Sequence, residues 1–299
     1  EGRGAGMTAG LFFGEPWDGY AKSSALGSSA VHAWGTMGRA QWSVKYLESE
    51  AYSDDDGPDN GAGAKEGGDY LDALLTGNKP ADKFVIRPET YTDEKGVEKP
   101  WNGNANVCKS WNSGQNAAGK TIISAQQDRE VRRALPMARE ALDVLLNLGG
   151  TISYQATLRG DVEGMEIQTR PDIVIDAPDM LVIADLKYVG QIDKFARDWV
   201  GSRYEIQTAA GVHLARLAGI TKRIEFRFLL VESGTENPRC RCLRIPEAHV
   251  EQAIRRLTER CADIRDVRDS ALGFTDSVEF DDIDLPGWAK NKLESRWDA

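Results

Sequence analysis

The stretch from Thr169 to Val189, TRPDIVIDAPDMLVIADLKYV, sets charged side chains into what is otherwise an apolar β-hairpin. Arg170 to Ile175 is rich in β-branched residues, Ala177-Pro178-Asp179 punctuates, and Leu181 to Leu186 is a short apolar run. Asp172 interrupts the first strand, and Asp185 and Lys187 end the second. Strand alternation puts Asp185 and Lys187 on one face, and hairpin pairing can bring Asp172 beside them. Two carboxylates and an ammonium on core strands are costly unless something partners them.

Two partnerships are open. Two oxygen-donor carboxylates can hold Mg²⁺, which keeps several of its waters, and a nearby lysine can orient or deprotonate an attacking water or neutralise a phosphate. The other is a buried ion pair of Lys187 with Asp185 or Asp172. Local chemistry alone does not choose between them.

The chain of 299 residues, 41% hydrophobic, can bury a sizeable core as one large domain or two small ones. A net charge of −10 argues against a protein that coats nucleic acid through its whole surface. It leaves room for basic residues confined to one groove. No run of eighteen apolar residues occurs, so no membrane span is expected. The first ten residues lack the pattern of a secretory leader, and Met7 reads as a natural start. The four cysteines (Cys108, Cys240, Cys242 and Cys261) form no disulfide framework in a chain this long, which makes a reducing cytoplasm the default.

Leu11 to Tyr20 reads as an aromatic-rich loop. Ser23 to Trp34 reads as a short capped helix, and a second helix follows from Met37. Ser53 to Lys65, acidic and glycine-rich, is expected to be a flexible loop. Tyr70 to Leu75 is an apolar helix that carries Asp72. Placed in the first turn, Asp72 suits the helix dipole; placed under the hairpin, it is a third carboxylate. Ile86 to Gly119 reads as irregular, with Trp101 and Trp111 either stacking on bases or anchoring a long loop. Ser124 caps a strong helix that runs to Leu148 with Pro136 inside it. Its arginines suit either phosphate contacts or a solvated face. Strands are expected over Thr151–Leu158, Met165–Ile175 and Leu181–Tyr188, then a helix over Ile192–Leu217 broken at Gly201. Strands over Arg223–Val231 and Arg241–Ile245 and a helix over Glu247–Arg268 complete the order. That order implies an α/β fold, with a central mixed sheet flanked by helices.

The thirteen-position step from Pro171-Asp172 to Asp185-Leu186-Lys187 resembles the PD-(D/E)XK nuclease signature. Three blocks together resemble the phage-type exonuclease VIII (RecE-like) family. They are SSALGSSAVHAWGTMGRAQWSVKYL, then GGDYLDALLTGNKPADKFVI, then RPDIVID…LVIADLKYV followed by YEIQ. The third is the most specific and the first the least. The resemblance implies a restriction-endonuclease-like core over 65–275, an N-terminal helical extension with the acidic loop over 1–64, and an acidic tail over 276–299. It implies that Asp172, Asp185 and Asp72 ligate Mg²⁺, for which Mn²⁺ can substitute, together with the Leu186 backbone carbonyl. Lys187 becomes the catalytic lysine. Asp72 stands where exonuclease VIII is expected to have His, a change that suits a hard cation. Gln207 matches the helix glutamine of RecB-like members, with Tyr204 one turn before it. Arg170, Tyr204 and Gln207 are the candidate substrate contacts. The Gln-x-x-x-Tyr form of that helix motif is not met, because Gly211 stands at the Tyr position.

The implied activity is Mg²⁺-dependent resection of linear duplex DNA from its ends, 5′ to 3′. The implied setting is a ring-shaped homo-oligomer in a bacterial host cell, feeding a single-strand annealing protein. Three rivals stand beside it. An iron–sulfur nuclease of the CRISPR-associated type has the right cysteine order, but Cys240-x-Cys242 with Cys261 far downstream is not a compact cluster-binding run. A non-catalytic DNA-binding or scaffold protein would be expected to have lost a carboxylate or the lysine, and all are present. A sequence-specific endonuclease shares the same chemistry.

Overall fold

The computed structural model describes residues 9–48, 62–77, 81–270 and 273–274. Residues 53–61 of the expected acidic loop and the whole tail from 276 lie outside the described residues. The last residues of that expected loop are helical instead, because α4 already starts at Ala62 (below).

The first described segment holds β1 (Gly10–Phe12), α1 (Trp17–Ala21), β2 (Leu26–Gly27), α2 (Ser28–Trp34) and α3 (Arg39–Ser43), the last continuing as a π turn over Val44–Glu48. Leu11 to Tyr20 is therefore a strand and a helical turn rather than a loop. The segment's strands β1 and β2 become the outer strands of a sheet described next.

After α4 (Ala62–Thr76) come β3 (Phe84–Arg87), β4 (Thr90–Thr92), β5 (Glu98–Pro100), α5 (Asn106–Ala117) and β6 (Thr121–Ser124). The stretch expected to be irregular thus holds a parallel β3–β6 pair, an antiparallel β4–β5 pair and a helix. Its strands are three or four residues long and mostly solvated, too short to show alternation. Trp101 and Trp111 meet edge to face at 5.3 Å, the anchoring alternative. Next is α6 (Ala125–Leu146), opened by a capping box in which Ser124 Oγ accepts from Gln127 N and Gln127 Oε1 accepts from Ser124 N.

The remaining elements are β7 (Thr151–Tyr154), β8 (Thr157–Val162), β9 (Met165–Thr169), β10 (Ile173–Asp176), β11 (Met180–Val189), α7 (Ile192–Asp198), α8 (Arg203–Leu217), β12 (Arg223–Glu232), β13 (Cys240–Arg244) and α9 (Glu247–Asp269). The expected strand from Met165 to Ile175 is two strands. Pro171 has no N–H to continue a ladder, and the chain changes sheet at Arg170-Pro171-Asp172. One sheet runs β1-β8-β9-β2, the other β13-β12-β11-β10-β7. In the second, β11 and β12 are parallel, joined through α7 and α8, and every other neighbour is antiparallel. This is the mixed sheet between helices.

Alternation along β11 divides the core. Leu181 and Ile183 enter a cluster with Ile206, Ala210, Leu214, Phe226, Phe228 and Leu257 on one face. Val182, Ala184 and Leu186 enter another with Leu71, Val131, Ala138 and Ile175. Helix α8 lies in the first, buried around most of its circumference. Gly211 lets it come close: a Cβ there would stand 2.9 Å from Phe226 Cε2. Among the described residues no helix is long and apolar enough to cross a membrane.

Candidate active site

The site lies where β10 stops and β11 does not. The hairpin ladder runs from Asp176↔Leu181 to Ile173↔Ala184, leaving Asp185 to Val189 without a β10 partner. Asp172 sits just before β10 and fills the start of that gap: its Oδ2 accepts from Leu186 N at 2.7 Å. Asp185 and Lys187 share the face of β11 that Leu181 and Ile183 bury further back. Asp185 is 3% exposed and Lys187 19%, and the Lys187 Nζ pairs with Asp185 Oδ2. The ion pair raised as one alternative from the sequence is therefore present.

It is not the whole arrangement. Helix α8 presents Gln207, whose Nε2 donates to Asp185 Oδ1 at 2.8 Å. One turn earlier, Tyr204 turns its ring face to Lys187 Nζ, 5.3 Å from the centroid. Tyr204 itself stacks on Phe195 at 5.1 Å, so its position is set by packing. Asp72, on α4, is buried at 5% exposure, and Thr76 Oγ1 donates to its Oδ1 at 3.1 Å. It is close enough to Asp172 for its charge to act there. Burial, then the charges of Asp185 and Asp72, push the Asp172 carboxyl well above its ordinary range, against the pull of Lys187 and the Leu186 N–H. Burial works to lower the Lys187 ammonium, but Asp185, Asp172 and Tyr204 outweigh it and hold its pKa above the ordinary lysine value. The centre is thus an Asp172 carboxyl that feels the charges of Asp185 and Asp72, with the Lys187 ammonium paired to Asp185.

Gln155, between β7 and β8, was not singled out from the sequence. Its Nε2 donates to Asp172 Oδ1 at 2.8 Å, and its backbone N donates to Asp172 O at 3.0 Å. Its φ is 51°, a left-handed conformation uncommon for a non-glycine residue. A glutamine in a run of strand formers carries no local sequence signal; only the β7–β10 pairing brings it to Asp172.

Arg170 does not join the group. Its Nη2 donates to Glu15 O at 2.8 Å, and its guanidinium lies over the rings of Trp17 and Tyr20. The side chain fastens the segment between β1 and α1 to the core rather than facing Lys187. The cysteines do not gather either. Cys240 and Cys242 pack on the α6 side of the sheet and Cys261 in the α8 cluster on the other, with the sheet between them. This removes the iron–sulfur alternative on position.

Among the described residues, no group of three or more His, Cys, Asp or Glu side chains is drawn into the close geometry of a bound ion. The donor chemistry nevertheless fits a hard divalent cation: oxygen ligands only, and an excess of buried negative charge that a cation would relieve.

No protein-family model matches the chain, and no curated protein matches it. A crystal structure from Eubacterium rectale, described as a "Putative exonuclease", is similar to it at 14% identity and a TM-score of 0.55, over 92% of this chain and 90% of that one. The two chains share a fold. At this identity the similarity speaks for architecture alone.

Proposed function

We propose that this protein is a divalent-cation-dependent nuclease that hydrolyses phosphodiester bonds in DNA. The observation that carries the reading is the convergence of Asp172, Asp185, Asp72 and Lys187 at the end of β10, on a fold shared with a protein described as an exonuclease. Asp172, Asp185 and Asp72 would hold Mg²⁺, with Mn²⁺ a substitute. In a regular strand the N–H and C=O of one residue point to the same side, so the Leu186 carbonyl faces the gap that its N–H faces, and it would serve as a further ligand. The cation supplies a lowered pKa for attacking water and charge stabilisation at the phosphate.

The chain's own residues do the rest. Gln207 holds Asp185 in orientation from α8. Lys187, positively charged and set over the Tyr204 ring, positions the attacking water and balances charge on the phosphate once Asp185 is engaged elsewhere. The Lys187–Asp185 pair keeps the ammonium in place until then. An ion pair alone would need neither Asp72, Asp172 nor the two glutamine amides, which is why the non-catalytic reading is the weaker one.

The finer reading is end-dependent resection of linear duplex DNA in the 5′ to 3′ direction, for phage-type recombination in a bacterial cytoplasm. There it would work as a ring-shaped homo-oligomer beside a single-strand annealing protein. Linear duplex labelled at the 5′ or the 3′ end, incubated with Mg²⁺ or EDTA, tests it. Release of the 5′ label only with Mg²⁺, and closed circular DNA left intact, are the expected results. Cleavage of the circle would make the protein an endonuclease, and cleavage in EDTA would remove the metal mechanism.

A further inference from the structure

We propose that Gln155 is a positioning residue: its side-chain amide fixes the Asp172 carboxylate in a ligating orientation, so that cation affinity depends on it. The inference rests on the nuclease reading and adds a residue that the motifs do not contain.

Three observations lead to it. Gln155 grips Asp172 at two points, by its backbone N at the main-chain carbonyl and by its amide at Oδ1. With Leu186 N on Oδ2, every oxygen of Asp172 is held, and each carboxylate oxygen still has a lone pair for a cation. The second observation is the backbone. Gln155 and Glu163 are the non-glycine residues with positive φ among the described residues, and Glu163 lies in the hairpin turn beside Gly164. Gln155 lies in no such turn. A left-handed conformation costs on the order of 1 kcal/mol at a non-glycine residue, and glycine or asparagine would relieve it. Neither has an amide that reaches as far as glutamine's. The third is charge. An acidic side chain of the same length would add a fourth negative group to a cluster that already repels itself, whereas the amide donates without adding charge. Gln155 and Gln207 thus do the same work on the two strands, each amide holding the Oδ1 of one aspartate at 2.8 Å.

The experiment compares the whole protein with Gln155→Met, Gln155→Gly and Asp172→Asn. Mn²⁺ binding is followed by the EPR signal of the free ion without DNA, turnover on linear duplex is measured with Mg²⁺, and melting temperature is recorded in EDTA. Gln155→Met keeps the side-chain length and loses the donor; Gln155→Gly also relieves the backbone. Both are expected to weaken Mn²⁺ binding about 10-fold or more and to lower kcat with KM for DNA unchanged, as for other outer-shell partners of metal ligands. A Gln155 variant that melts lower yet binds Mn²⁺ like wild type overturns the proposal, as does one indistinguishable from wild type while Asp172→Asn neither binds nor cleaves. In both cases the nuclease reading survives. Should Gln155→Met not fold, Gln155→Gly decides. Wild type that neither binds Mn²⁺ nor cleaves would bring down the nuclease reading and this inference with it.

Discussion

The side-chain amide of Gln207 reaches from α8 across to β11 and donates to Asp185 Oδ1 at 2.8 Å. Helix and strand are both rigid and buried, so the contact fixes the carboxylate rather than the helix. Gln207→Ala is expected to lower cleavage of linear duplex with Mg²⁺ about 10- to 100-fold. The melting temperature should barely move, because the helix keeps its apolar packing. A variant that melts several degrees lower and cleaves normally would show that Gln207 serves the fold.

Three carboxylates around one ammonium make the site a place where stability is given up. Replacing Asp172 with Asn removes a carboxyl whose charged form burial, Asp185 and Asp72 disfavour, and it keeps the shape; Gln155 can turn its amide to accept from the new side chain. Asp172→Asn is expected to melt higher than wild type in EDTA at neutral pH, by an amount on the order of 1–2 kcal/mol, while losing cleavage. A lower melting temperature would mean that the carboxylate is a net stabiliser of the empty site.

Gly211 carries a separate prediction. A Cβ there would meet Phe226 at 2.9 Å and Ile183 at 3.6 Å, and both side chains are fully buried. Overpacking of this kind costs about 1–3 kcal/mol, against roughly 1 kcal/mol gained from the better helix propensity of alanine. Gly211→Ala should therefore unfold at lower denaturant than wild type. The same closeness explains why the glutamine-to-tyrosine spacing expected on this helix is not met: a tyrosine would have no room against Phe226.

Acid should loosen the end of the sheet where β11 and β12 finish, because Glu232 lies opposite Val189 there. Arg239 donates to Glu232, and the Ile192 and Arg239 backbone N–H groups do so too; against the cost of burial they pull the Glu232 carboxyl down to about 2. A lowered pKa contributes stability that is present above the ordinary value near 4.5 and lost as pH falls toward 2. Glu232→Gln should be less stable than wild type by about 1–3 kcal/mol at pH 6. Thermal melts by circular dichroism should show that gap narrowing from pH 4.5 down to 2. A gap independent of pH would assign the loss to packing.

The hairpin was legible because alternation, turn chemistry and charge all spoke within twenty residues: Asp185 and Lys187 could be put on one face without knowing the fold. The cap at Ser124 and the helix break at Gly201 were equally local. What stayed hidden was long-range. Whether Asp72 belongs to the group depends on how α4 packs against β11, and nothing within α4 records that. Gln155 reaches Asp172 only because β7 pairs with β10. Arg170 sits beside the motif in sequence, yet Glu15, Trp17 and Tyr20 claim it from the other end of the segment. The strands β1 and β2 are too short to announce themselves; they exist because β8 and β9 offer them edges.

The ladder from Asp176↔Leu181 to Ile173↔Ala184 separates the exposed tip at Pro178-Asp179 from the reactive end by the whole paired length of the hairpin. Graft acceptance should therefore be very uneven along this one hairpin. The tip is a place to splice in a peptide tag or a fluorophore-bearing residue while the chemistry goes on undisturbed. Removing a single residue between Val182 and Ala184 would invert the outlook of everything beyond it, sending Asp185 toward α6 and Leu186 into its place.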